Sequence, residues 1–95
     1  MISATEALIL SLLIGKTHGA FGSELLHASE GKLKRGSIYT TLGRMEQAGL
    51  VKSKECAPTE AYALPRTSYK ITGDGAKARR EFGTWTGLIP QGEMS

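Results

Sequence analysis

Apolar residues are concentrated at the start of the chain, where seven of the eight residues from 7 to 14 are apolar. Just before them, Ser3 and Glu6 have the spacing of a capping box, in which each side chain accepts a hydrogen bond from the other residue's backbone. Gly15 supplies the end of the helix. A helix that is apolar on nearly its whole circumference is buried or shared with a second subunit. We therefore predict a first helix over residues 3–15 and a homodimer.

Two further helices are predicted before residue 49. The second helix covers residues 22–30 and ends at Gly31, and a basic turn follows it at residues 32–36. The third helix covers residues 38–48, with Ser37 as its cap. Its apolar residues recur at helical spacing, at Ile38, Leu42 and Met45. Its opposite face carries Tyr39, Thr40, Gly43, Arg44 and Gln47.

After residue 49 the spacing of apolar residues changes from the helical period to alternation. Residues 50–56 and 67–71 mix β-forming residues with charged ones, and Pro58 and Pro65 interrupt the segment between them. Two short strands joined by an extended loop form a hairpin.

A fourth helix follows the hairpin over residues 74–82, with Thr72 or Gly73 as its cap. The glycines after residue 82, together with Pro90, predict a poor helix in the rest of the chain. We therefore expect one domain over residues 1–82 and a C-terminal tail, residues 83–95, that is flexible or part of a dimer contact.

The predicted fold is mainly α with a small β-hairpin, in the order of a winged helix-turn-helix. In that fold the third helix enters the major groove of DNA and the hairpin loop lies along the backbone. Lys34, Arg35 and Ser37 surround the start of this helix, where free N–H groups favour phosphate. Arg44 suits a guanine edge and Gln47 an adenine edge.

Three segments of the chain resemble a known family. Residues 36–51, Gly-Ser-Ile-Tyr-Thr-Thr-Leu-Gly-Arg-Met-Glu-Gln-Ala-Gly-Leu-Val, resemble the recognition-helix signature of PadR-type transcriptional regulators. His18-Gly19 is similar to the family's turn before the second helix, and residues 69–75 are similar to its wing strand and the following helix start. The resemblance covers residues 4 to 82 and implies a repressor that binds operator DNA as a dimer.

The resemblance also implies roles for single residues. Ser37, Tyr39 and Thr40 match positions that face DNA in the family, with Ser37 and Tyr39 on phosphates. The positions that match its core are Leu42, Met45 and Leu50. Arg66 is the one basic residue in the stretch before the second wing strand, where the family commonly carries glycine and arginine.

Partners beyond DNA follow from the same resemblance. A dimer would form through the first helix, the fourth helix or the tail. Some relatives accept flat aromatic effectors near the dimer interface, so Trp85 could stack on a small aromatic effector. More often, a lone tryptophan near a terminus fills a core or an interface.

The net charge of +3 is unevenly distributed along the chain. Residues 31–70 hold eight basic and three acidic residues, a net charge of +5. A charge asymmetry of this kind belongs either to a solvated face or to a surface for an anionic partner.

Composition excludes several other classes of protein. One cysteine, Cys56, cannot form an internal disulfide framework or a multi-cysteine metal cluster. No carboxylate pair, Ser/His/Asp set or phosphate loop indicates an enzyme, and neither His18 nor His27 has partners at metal-ligand spacing. The longest apolar stretch is far short of the ~20 residues that span a bilayer. We therefore expect a soluble, cytoplasmic protein without a cofactor or metal.

Two other functions stay open at this stage. A winged-helix module could bind another protein, with Tyr39, Arg44 and Gln47 as contact residues. A nonspecific nucleic-acid binder would rely on charge alone. Salt dependence and sequence dependence of binding separate all three functions.

Overall fold

The elements of the fold follow the predicted order, with one short strand added. The structure, a computed structural model, describes residues 2–61 and 63–87, with side chains described up to residue 82. The elements are α1 (Ala4–Ile14), β1 (Ala20–Phe21), α2 (Gly22–Ala28), α3 (Arg35–Gln47), β2 (Val51–Cys56), β3 (Arg66–Ile71) and α4 (Gly73–Gly87). The predicted fold class, a mainly helical winged helix-turn-helix, is confirmed.

Helix α1 begins and ends as its sequence predicts. The Ser3 backbone donates to Glu6 Oε1 at 2.8 Å, and the Glu6 backbone donates to Ser3 Oγ at 3.1 Å, which completes the capping box. Gly15 follows the last turn. The side chains of α1 supply a large part of the core, through Ala7, Ile9, Leu10 and Leu13.

The core joins α1 to α2, α3 and the sheet. Leu42 and Met45 are fully buried, and Leu50 is half-buried against them. The turn before α3 is anchored by Leu33, whose backbone donates to the buried Ser29 hydroxyl at 3.1 Å. This anchor fixes where the following helix begins.

Two helix boundaries differ from the prediction. Helix α2 ends at Ala28, because Glu30 and Gly31 adopt positive φ angles of 54° and 91°. Helix α3 begins at Arg35, three residues before the predicted start, so Ser37 lies inside its first turn and is not its cap. Lys34 occupies the cap position in extended backbone geometry, and its carbonyl accepts from the Ile38 backbone at 3.0 Å.

The hairpin forms as predicted and gains a third strand. The strand order is β1-β3-β2, with both pairs antiparallel. Strand β1 has only two residues, too few for any alternation to reveal it. It pairs Ala20 with Tyr69 and Phe21 with Ser68.

The start of helix α4 depends on Thr72, one of the two predicted caps. Its hydroxyl accepts from the Gly75 backbone at 2.9 Å and donates to the Gly49 carbonyl at 2.6 Å. At Gly75 a Cβ atom would collide with the Leu50 carbonyl, so only glycine fits. The sequence pattern could not reveal this close approach.

The prediction of a poor helix after residue 82 is wrong as far as Gly87. Glycine inside a helix costs about 1 kcal/mol relative to alanine, and the helix continues through Gly83. The division into a domain over residues 1–82 and a tail over residues 83–95 stays a prediction, because residues 88–95 lie outside the described residues.

Candidate nucleic-acid interface

The exposed side of α3 consists of a crest and two edges. At 3.6 residues per turn, Gly36, Thr40, Gly43 and Gln47 align along the crest. Ser37 and Arg44, seven residues apart, form one edge, and Tyr39 and Glu46 form the other. All of these residues are exposed except the half-buried Gly43.

The two glycines of the crest have open space above them. No described residue lies within 4 Å of a Cβ atom placed on Gly36 or Gly43. Packing against the described residues therefore does not require glycine at residue 43, although glycine in mid-helix costs about 1 kcal/mol of stability.

The N-terminus of α3 is electropositive. Its first turn contains no acidic residue, and Lys32, Lys34 and Arg35 are all exposed around it. The unpaired N–H groups of a first turn and the helix dipole add partial positive charge there. The hydrogen bond from Leu33 to Ser29 holds this basic turn in place.

Tyr39 lies over Gly22 at the start of α2. A Cβ atom on Gly22 would be 2.5 Å from Tyr39 Cε1, so the glycine makes room for the ring. Tyr39 as a whole is 48% exposed. It borders a cleft of about 230 Å³ that Ser23 and Arg66 also line. Gly22 is therefore a positioning residue that the sequence pattern did not single out.

Arg66 lies at the start of β3 and stacks on an aromatic ring. Its guanidinium carbon is 3.6 Å from the centroid of the Phe21 ring, and its side chain is half-buried. Stacking of this kind restrains the orientation of a guanidinium. Arg66 thus borders the same cleft as Tyr39.

The sheet has two faces of different character. Side chains alternate between faces along a strand, so Val51, Ser53 and Tyr69 share the inner face, toward α3. Ser53 Oγ donates to Glu46 Oε2 at 2.6 Å, which links this face directly to α3. Burial raises the pKa of the Tyr69 hydroxyl, and the Glu46 carboxylate raises it further.

The outer face points away from α3. It comprises Phe21, Lys52, Lys54, Cys56, Arg66, Ser68 and Lys70. The Cys56 thiol lies 3.9 Å from the Ser68 hydroxyl, as side chains on one face must. Of the basic residues there, only Arg66 is among the residues predicted to bind DNA.

The predicted DNA-binding residues therefore lie in one region on α3, with one further residue across the neighbouring cleft. Seven of them lie on the exposed side of α3 or at its start: Lys34, Arg35, Ser37, Tyr39, Thr40, Arg44 and Gln47. Arg66 joins them across the cleft beside Tyr39. The Trp85 side chain, proposed to stack on an effector, lies outside the described side chains.

Residues 2–61 and 63–87 contain neither a metal-binding cluster nor a membrane-spanning helix. No group of three or more histidine, cysteine, aspartate or glutamate residues is arranged to hold a metal ion. In the same part of the chain, every helix is too short or too polar to cross a membrane.

Comparison with known proteins gives a family and a set of related structures. Residues 9–81 match the model of the transcriptional regulator PadR-like family. A PadR family transcription regulator from Clostridium difficile superimposes with a TM-score of 0.78 at 25% identity, covering 92% of this chain and 91% of that one. A PadR-like transcription factor from Bacteroides fragilis gives 0.72 at 26% identity, with coverages of 88% and 82%.

A third structure agrees with these two. A transcriptional regulator from Clostridium thermocellum gives a TM-score of 0.69 at 26% identity, covering 93% of this chain and 90% of that one. No curated protein matches the chain.

Proposed function

The chain belongs to the PadR-like family of transcriptional regulators, and from that premise we propose that it is a sequence-specific repressor that binds operator DNA as a dimer. One observation carries the proposal. The exposed side of α3 combines hydrogen-bonding side chains, an open crest and a basic N-terminal turn. The major groove admits a helix with such a surface.

Sequence specificity would come from the far half of α3. Arg44 can donate two hydrogen bonds to a guanine, and Gln47 can exchange two with an adenine. Both side chains are exposed and lie on the side of α3 that carries the crest. The open space above Gly43 favours close approach of the helix backbone to the groove over a packing role.

Affinity without sequence preference would come from contacts with phosphates. Lys34, Arg35 and Ser37 lie at the start of α3, where an anion is favoured. Tyr39 and Thr40 would extend this contact along the helix. Arg66, held on Phe21, would contact the backbone from the start of the wing strand.

Dimer formation is supported by apolar surface away from the crest of α3. A groove of about 530 Å³ runs between the ends of α1, α3 and α4 and is lined mainly by apolar side chains, those of Ile2, Ala48, Leu50, Ala78 and Phe82. Ile14, at the end of α1, is 52% exposed. Light scattering at tens of micromolar protein tests the dimer, and a monomeric mass would refute it.

Selection of bound duplexes from a random library tests the proposed function. We expect a palindromic consensus, because a two-fold symmetric dimer presents two recognition helices one helical turn apart. A selected pool of duplexes that has no consensus sequence would instead indicate a nonspecific binder that relies on charge alone. Absence of any DNA binding would favour a protein-interaction module.

A further inference from the structure

The outer face of the sheet is a cationic surface that the proposed contacts of α3 do not use. Lys52, Lys54 and Lys70 are exposed on it. Within residues 2–61 and 63–87, these three side chains form no ion pair or hydrogen bond. The acidic residue of β2, Glu55, has the opposite parity and belongs to the inner face.

The arrangement of these lysines works against the stability of the sheet. Lys52 and Lys70 are direct cross-strand partners, and like charges directly opposite each other repel. Lys54 follows two residues along the same face, about 7 Å away. An anion that lies across the face would relieve this repulsion.

The composition of the face favours a polyanion over a protein partner. Centres of protein interfaces are depleted in lysine and enriched in aromatic residues. Phe21, the aromatic residue of this face, is already covered by Arg66. Flexible ammonium groups that form no ion pair with the described residues suit a phosphate backbone, which they neutralise without sequence preference.

The position of the face relative to α3 points to one source of that backbone. Arg66 belongs to the outer face and also lines the cleft beside Tyr39. A backbone that leaves α3 past Tyr39 therefore meets Arg66 and then the lysines beyond it. Since the outer face points away from α3, the duplex must bend around the sheet to follow this path. The elastic cost of bending is offset by the added contacts.

We propose that the outer face, through Lys52, Lys54 and Lys70, binds the phosphate backbone of the DNA that flanks the operator on the same duplex. The proposal rests on operator binding by α3. It gives the protein a second, sequence-independent contact that operates only when the bound duplex extends beyond the operator.

The test compares two duplexes that carry the selected consensus. The short duplex, of about 20 base pairs, spans both half-sites. The long duplex is extended on each side by about 15 base pairs, which is more than one helical turn. Affinity is measured against salt for the unchanged protein and for Lys52→Gln/Lys70→Gln. The matched control is Lys77→Gln/Arg80→Gln, which removes the same charge from exposed positions of α4. Light scattering and thermal unfolding verify that both variants keep the mass and fold of the unchanged protein.

We expect the unchanged protein to show a steeper salt dependence on the long duplex than on the short one. Each neutralised phosphate adds about 0.9 to the slope of log K against log salt, so the outer-face variant should lose about 2 per protomer on the long duplex. On the short duplex its slope should not change. The control variant should retain the difference between the two duplexes.

Several results would overturn the proposal. They are equal slopes on both duplexes for the unchanged protein, equal losses in the two variants, or a loss in the outer-face variant on the short duplex. Capture of a second duplex, or of an acidic protein, without flank dependence would assign the face to another molecule. Failure of operator binding itself is distinguishable, because it would abolish preference for the consensus on the short duplex.

Discussion

The eight basic residues between residues 31 and 70 divide equally between two regions that face different directions. One region is α3 with its preceding turn, which holds Lys32, Lys34, Arg35 and Arg44; the other is the outer face of the sheet, which holds Lys52, Lys54, Arg66 and Lys70. Along the sequence they form one positive segment. In the fold they have different chemistry.

The difference lies in what accompanies the charge. On α3 the cations accompany hydroxyls, an amide and two open glycines on a rigid helix, which is what base recognition requires. On the outer face the three lysines stand on flexible side chains, and the one guanidinium, that of Arg66, stacks on Phe21. We therefore expect the same charge to serve sequence recognition on α3 and phosphate binding on the outer face.

The two regions are held in a fixed relation. The hydrogen bond from Ser53 to Glu46 joins the inner face of the sheet to the edge of α3. Ile71 and Leu50 pack against the same core as α3. We therefore expect substitutions of exposed side chains in either region to leave the relative orientation of α3 and the sheet unchanged, so that their effects on DNA binding can be compared.

The largest expected effect on DNA binding is that of substituting Arg44, in the α3 region. We expect Arg44→Ala to weaken binding of the consensus duplex by about 1–3 kcal/mol, the range of one bidentate contact to a base, and to relax preference at one base position. Binding of a scrambled duplex should change far less. Anisotropy titrations of both duplexes measure this, and an equal loss on both would place Arg44 on phosphate.

Removal of charge at the start of α3 should act differently from Arg44→Ala. The double change Lys34→Gln/Arg35→Gln should reduce the salt slope by about 2 per protomer, equally for consensus and scrambled duplexes and even on the short duplex. An unchanged salt slope would show that Lys34 and Arg35 do not contact the phosphates of DNA.

Gly22→Ala should weaken DNA binding by displacing the Tyr39 ring, without removing any group that contacts DNA. A methyl group at residue 22 would overlap the ring, so Gly22→Ala should cost about 1 kcal/mol of binding, the value of one hydrogen bond. In a double-mutant cycle, adding Tyr39→Phe should cause little further loss. Fully additive losses would show that Gly22 acts on binding by another route.

Gly43→Ala should separate stability from binding. Because a Cβ atom there meets none of the described residues, alanine should raise the free energy of unfolding by about 1 kcal/mol while weakening operator binding. Gly73→Ala is a control at an equally open position away from α3, and its binding should be unchanged. Unaltered binding in Gly43→Ala would contradict close approach of the crest to DNA.

The smallest expected effect is in the sheet. Lys70→Gln removes the like charge opposite Lys52 and should raise the free energy of unfolding by about 0.2–1 kcal/mol at low salt. The gain should shrink as salt screens the repulsion. Lys77→Gln, on α4, should show no such gain in chemical denaturation.

The helices and the hairpin could be predicted because their signals are local. The capping box at Ser3, the spacing of Ile38, Leu42 and Met45, and the alternation after residue 49 all depend on near neighbours. The start of α3 could not be placed, because it depends on the anchor that Leu33 makes with Ser29.

The site was only partly predictable for the same reason. The exposed side of α3 follows from helical spacing, so seven of the eight predicted residues share one region. The outer face depends on strand register, which pairs Lys52 with Lys70 across 18 positions of sequence. Neither this pairing nor the contact between Gly22 and Tyr39 has a local signal.

The most direct test of sequence recognition by α3 is the ratio of affinities for consensus and scrambled duplexes of about 20 base pairs, measured across a salt series. Both affinities should fall as salt rises, because both depend on phosphate contacts. We predict that the consensus stays tighter throughout by about 10³-fold or more, as for specific regulators. Equal affinities at every salt concentration would contradict sequence recognition by α3.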